Sequence, residues 1–65
     1  MDIQQALAIY LGTRAERGYD LVAFEITEAE GTYYLHRDDL FPVTLGTEGE
    51  AIDALLAAAF SLRNI

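Results

Sequence analysis

Apolar residues recur along this chain with two different periods, and the change of period marks where the elements begin and end. Ile3, Ala6, Leu7, Tyr10 and Leu11 return every three or four positions, the spacing of one helix face. Asp2 stands before them as an N-cap, and Gln5 three residues later completes a capping-box pattern. The helix is expected over 3–17. Gly18 suits the left-handed position after its end, and Arg14 and Arg17 place positive charge where the helix dipole favours it. Gly12 within this helix costs about 1 kcal/mol relative to alanine, and is read as a point of close approach to a neighbouring element.

From Leu21 the period falls to two. Val22, Phe24 and Ile26 alternate with Ala23, Glu25 and Thr27, so strands are expected over 21–28 and 32–37 around a Glu30-Gly31 turn. A two-residue turn sets Ala29 opposite Thr32, Ile26 opposite Leu35 and Glu25 opposite His36. Val22, Phe24, Ile26 and Leu35 then face the core, and Glu25, Thr27, Tyr34 and His36 face the other way. A three-residue loop would instead bring Tyr34 beside Ile26. Asp38-Asp39 makes a charged corner, after which residues 41–45 are expected as a short third strand. Pro42 cannot donate to a ladder and assigns that strand to an edge or its own start. Thr47-x-x-Glu50 is a capping box for a second helix over 48–62, with Ile52, Leu55, Leu56, Ala59 and Phe60 as its apolar stripe. Ala54, Ala57 and Ala58 lie beside that stripe and are read as packing on the first helix or as plain helix formers, with a dimer face as the competing reading.

The order helix, strand, strand, short strand, helix defines one α+β domain over 1–65, α-β-β-(β)-α. Its two- or three-stranded antiparallel sheet is covered on one face by both helices and open on the other. With 65 residues and no cysteine, neither a disulfide nor a thiolate zinc site reinforces the small core. No leader-like segment and no long apolar run is read at the N-terminus or elsewhere, so a cytoplasmic protein is expected.

Charge changes this picture more than composition does. The chain carries eleven acids against four arginines and no lysine, a net charge of -7. Residues 1–18 are neutral and residues 42–65 carry -2, which leaves -5 between Asp20 and Phe41. Such a surface opposes direct binding to nucleic acid or anionic membranes and favours basic protein partners. Solubility alone is the competing explanation, but it does not call for the complete absence of lysine. The acids also accompany tyrosines, which are enriched at protein interfaces. The candidate partner-binding set is therefore Glu25, Glu28, Glu30, Tyr33, Tyr34, Asp38 and Asp39.

Catalytic and cofactor chemistry find little footing. His36 opposite Glu25 is the one titratable pair, and on a solvated sheet face it reads as a cross-strand ion pair. There is no nucleophile with a triad partner, no glycine-rich phosphate loop and no EF-hand spacing. No enzyme activity, cofactor or dedicated metal site is expected.

In size, charge, lack of cysteine and α+β economy, the whole chain resembles the small acidic phage-encoded anti-CRISPR proteins. That resemblance implies an inhibitor in a host cytoplasm. Its acidic face would block the basic nucleic-acid-binding surface of an effector subunit, as several of that class do by mimicking DNA. The resemblance carries no residue assignments; the residues named above come from the distribution of charge. The alternative is a non-enzymatic structural or adaptor module, a monomer or weak homodimer that self-associates through helix two or an exposed sheet edge.

Overall fold

The computed structural model describes residues 1–19, 24–37 and 40–64. Its elements follow the expected order: α1 (Ile3–Glu16), β1 (Phe24–Ala29), β2 (Thr32–Arg37), β3 (Leu40–Gly46) and α2 (Glu48–Arg63). Both capping boxes form. The Asp2 carboxylate accepts from the Gln5 amide at 2.8 Å, and the Thr47 hydroxyl accepts from the Glu50 amide at 3.3 Å. Each cap satisfies helix-end donors that would otherwise be left without partners. Gly18 follows α1 with φ +76°, where a residue bearing a Cβ would be strained.

The three strands form an antiparallel meander in the order β1-β2-β3, with β3 at an edge as Pro42 requires. Glu30 and Gly31 have φ of +52° and +83°, both positive as a type I′ hairpin turn demands. The turn sets the expected register, with Ile26 opposite Leu35 and Glu25 opposite His36. Across the second pair, Leu35 lies opposite Val43 and Tyr33 opposite Gly46, with irregularities on either side of Tyr34-Leu35.

The two helices run in the same direction. Ala6 and Leu7 of α1 pack with Leu55 of α2, and ten residues further along α1 the Arg17 guanidinium donates to the Arg63 carbonyl at the end of α2. Ala51, Leu55 and Ala59, each four residues from the next, form the buried line of α2. Phe24, Ile26 and Leu35 meet the helices from the sheet, and the Tyr10 and Phe24 rings stand edge to face with centroids 5.7 Å apart.

Several details depart from expectation. Among the described residues the buried apolar side chains are Ala6, Leu7, Ala51, Leu55 and Ala59, three alanines and two leucines, and larger ones such as Tyr10, Phe24 and Ile26 surround them half-buried. Phe60 does not join the core; it is 68% exposed. Ala54 and Ala57 are exposed and Ala58 is half-buried, so Ala54 and Ala57 do not pack on the first helix, while Ala51 and Ala59 are the buried alanines of α2. A Cβ at Gly12 would meet nothing within 4 Å, so Gly12 marks no close approach. Thr13 is buried instead, its hydroxyl donating to the Ile9 carbonyl at 2.9 Å, the bond that lets a polar side chain enter the core. Val22, Asp38 and Asp39 lie outside the described residues.

Candidate functional site: the acidic hairpin end

Directly opposed residues share a sheet face, and alternate residues lie on opposite faces. The register therefore sorts the candidate residues without further assumption. Phe24, Ile26, Glu28, Tyr33, Leu35 and Arg37 occupy the face covered by the helices, and Glu25, Thr27, Tyr34 and His36 occupy the other. Glu25 and Tyr34 are thus on the open face, Glu28 and Tyr33 lie on the helix side near its end, and Glu30 stands in the turn. These five do not form the single surface that their charge and aromatic character suggested.

What the fold assembles instead is an acidic end. Pairing of Tyr33 with Gly46 brings the start of α2 against the hairpin, and the Tyr33 hydroxyl donates to a Glu48 carboxylate oxygen at 3.0 Å. That bond to Glu48, first among its causes, raises the Tyr33 pKa above its ordinary value. Glu28 accepts from the Gly31 amide at 2.7 Å, which fixes it across the turn. Glu50 accepts from the Thr47 amide at 3.1 Å, and this backbone bond, followed by the contact with the Thr47 side chain, lowers its pKa. Glu28, Glu30, Glu48 and Glu50 are all exposed, and the hydrogen bonds to Glu28, Glu48 and Glu50 come from neutral donors. Glu28, Glu48 and Glu50 are thereby positioned while their charge is left unneutralised. Glu48 and Glu50 were legible in the sequence only as helix caps; the signal that adds them to the hairpin end is the return of β3 beside Tyr33.

The arginines collect at the opposite end, where both helices finish. Arg14 stacks over Tyr19 at 5.1 Å and over Phe24 at 5.2 Å, and its Nη1 donates to the Tyr10 hydroxyl at 3.3 Å. Arg37 approaches the same Phe24 ring at 5.7 Å. Arg17 reaches the carbonyl of Arg63, the fourth arginine of the chain. Cation–π stacking of this kind stabilises guanidinium groups against aromatic rings and helps define that end of the domain. Among the described residues, these charges are consequently polarised along the helices.

On the open face, His36 Nε2 lies 2.6 Å from the Thr27 hydroxyl, one step diagonally from its opposed residue Glu25. Glu25 stands opposite His36 as expected, but the hydrogen bond His36 makes is to Thr27 rather than to the Glu25 carboxylate. Among the described residues there is no pocket, and no group of three or more histidine, cysteine, aspartate or glutamate side chains is disposed to hold a metal ion. No helix among them is long and apolar enough to cross a membrane. No protein-family model, curated protein or solved structure matches this chain.

Proposed function

We propose that the protein is a small acidic inhibitor that binds a basic surface of a partner protein, one that otherwise holds a nucleic-acid backbone. One observation carries the reading: Glu28, Glu48 and Glu50 are held at the hairpin end by hydrogen bonds from neutral donors beside Glu30 in the turn, while the arginines sit at the far end of the helices. A groove lined with lysine and arginine exchanges phosphate contacts for carboxylate contacts at little geometric cost, because both ligands are planar or tetrahedral oxygen acceptors. Tyr33 adds a half-buried aromatic body beside those carboxylates, the kind of side chain that supplies contact area with little loss of freedom. The role resembles that of the DNA-mimicking anti-CRISPR proteins, acting in the cytoplasm of a host cell.

The test is capture of partners from host lysate by the wild-type chain and by a variant carrying Glu28→Lys, Glu30→Lys and Glu48→Lys. Wild type should retain a nucleic-acid-binding protein and prevent it from binding its nucleic acid, with retention falling steeply as salt rises. The variant should retain nothing specific. Equal capture by both proteins would refute the reading.

A further inference from the structure

The two edges of the sheet are protected unequally. β1 carries Glu25 and Glu28, charges that discourage another strand from pairing with it. β3 reads Leu-Phe-Pro-Val-Thr-Leu-Gly and bears no ionisable residue in a chain of net charge -7. Its exposed side chains are uncharged and mostly apolar: Phe41 is 92% exposed and Val43 54%, with Pro42 and Thr44 exposed beside them. Gly46 and Thr47 join β3 directly to α2, which returns over β3 and β2, so Phe60 lies toward the same end as Phe41. Ile52, Leu56 and Phe60, at intervals of four, continue the apolar line along α2 from half-buried to exposed.

We infer that this β3–α2 edge is the interface of a homodimer in which two copies pair antiparallel about a two-fold axis. The occupant is argued from charge and from area. An antiparallel copy sets the start of one α2, with Glu48 and Glu50, beside the end of the other, with Arg63; the polarity of the monomer thus becomes complementarity between copies, and the helix dipoles oppose. A parallel arrangement would place acid against acid. The apolar strip itself is uncharged, so it is matched by an identical uncharged strip rather than by the basic surface that suits the hairpin end. Burying two phenylalanines and a valine of these exposures removes roughly 400 Å² per copy, taking ~200 Å² for a buried aromatic side chain. Contact along the strand edge brings the pair to about 1,000 Å², where specific interfaces begin. Glu28 and Glu30 lie across the sheet from β3, about two strand spacings or ~10 Å away, and stay accessible in such a dimer, whereas Glu48 and Glu50 are drawn on by both the dimer and the basic partner.

Sedimentation equilibrium of the full chain, from low micromolar to near-millimolar concentration, should show a reversible monomer–dimer system. Phe41→Asp, at a site too exposed to matter for the monomer, should weaken dimerisation at least about tenfold with the far-ultraviolet circular dichroism unchanged. Arg63→Glu and Glu48→Arg should each weaken self-association, and mixing the two variants should restore it, since both pairs between positions 48 and 63 across the mixed dimer are then opposite in sign. The mixing experiment remains decisive should Phe41→Asp fail to fold. A strict monomer at every concentration overturns the inference and leaves the strip to a different protein. A dimer indifferent to Phe41→Asp overturns the assignment of surface, and failure of the mixture to recover overturns the antiparallel arrangement.

Discussion

Two glycines with the same composition-level cost have opposite roles. Gly12 lies in the middle of α1, exposed, with open space where a side chain would go. Replacing it by alanine restricts the unfolded chain and improves helix propensity without a steric penalty. Gly12→Ala should therefore stabilise the domain by up to about 1 kcal/mol, read as a higher urea midpoint at unchanged slope. Gly46 has φ +102°, and a Cβ there would stand 2.8 Å from a Glu50 carboxylate oxygen, the same oxygen that accepts from the Thr47 amide. Relief would require Glu50 to abandon its cap. Gly46→Ala should destabilise by about 2 kcal/mol, from the left-handed backbone together with the weakened cap. Glu30 presents a third case, a residue with a Cβ at φ +52° where asparagine or glycine is usual. Glu30→Asn should raise stability by about 0.5–1 kcal/mol while reducing partner capture, a pairing expected where an unfavourable backbone holds a binding residue. A stabilised variant with undiminished capture would show that the Glu30 carboxylate does not contribute to binding.

At the level of elements, the start of α2 joins stability to the candidate site. The Thr47–Glu50 box caps the helix that also carries Glu48 to Tyr33. Thr47→Ala should cost about 1 kcal/mol. The box also sets a dependence on pH whose sign follows from its partners. Glu50 has a folded pKa below its ordinary value, so its stabilising effect is present above the unfolded carboxylate pKa and is lost as pH falls through the depressed folded value. Tyr33 has a folded pKa above its ordinary value. Its contribution is present below the unfolded tyrosine pKa and is lost as pH rises through the raised folded one. Thermal melts should show Glu50→Gln flattening part of the acid limb and Tyr33→Phe flattening part of the alkaline limb, each leaving the other limb in place. Parallel shifts of the whole profile would contradict these assignments.

The elements themselves were largely legible in the sequence because their signals are local. Asp2 with Gln5, Thr47 with Glu50 and the Glu30-Gly31 turn each act within a few residues, and each fixed a boundary or a register that the fold retains. Longer-range packing was less legible. Phe60 fits the helical period of its stripe, yet the covered line of α2 runs through Ala51, Leu55 and Ala59, and the period does not reveal how wide the covered face is. The candidate site was half legible for a similar reason. Strand parity alone places Glu28 and Tyr33 on the helix side with Ile26 and Leu35, whereas grouping by charge had joined them to Glu25 and Tyr34. The contribution of Glu48 depends on β3 bringing α2 back to the hairpin, a tertiary relation with no local signature.

For the whole molecule, polarity of the described charges along the helix direction is the property on which the proposed function rests. Carboxylates at the hairpin end and guanidinium groups at the other give one end that suits a basic groove, an uncharged edge that suits a second copy, and a sheet face left open with Glu25, Tyr34 and His36. Unpaired like charges at the hairpin end destabilise the isolated fold, and contact with a basic partner relieves that repulsion. The same charges oppose any direct hold on nucleic acid, so inhibition would act through the protein that binds it. The most direct test of the central claim is the salt dependence of affinity for the captured partner, measured for wild type and for the Glu28→Lys, Glu30→Lys, Glu48→Lys variant. A hairpin end that binds through its carboxylates predicts a steep loss of wild-type affinity with rising salt and no measurable binding by the variant at any salt concentration. Wild-type affinity indifferent to salt, or retained by the variant, would contradict it.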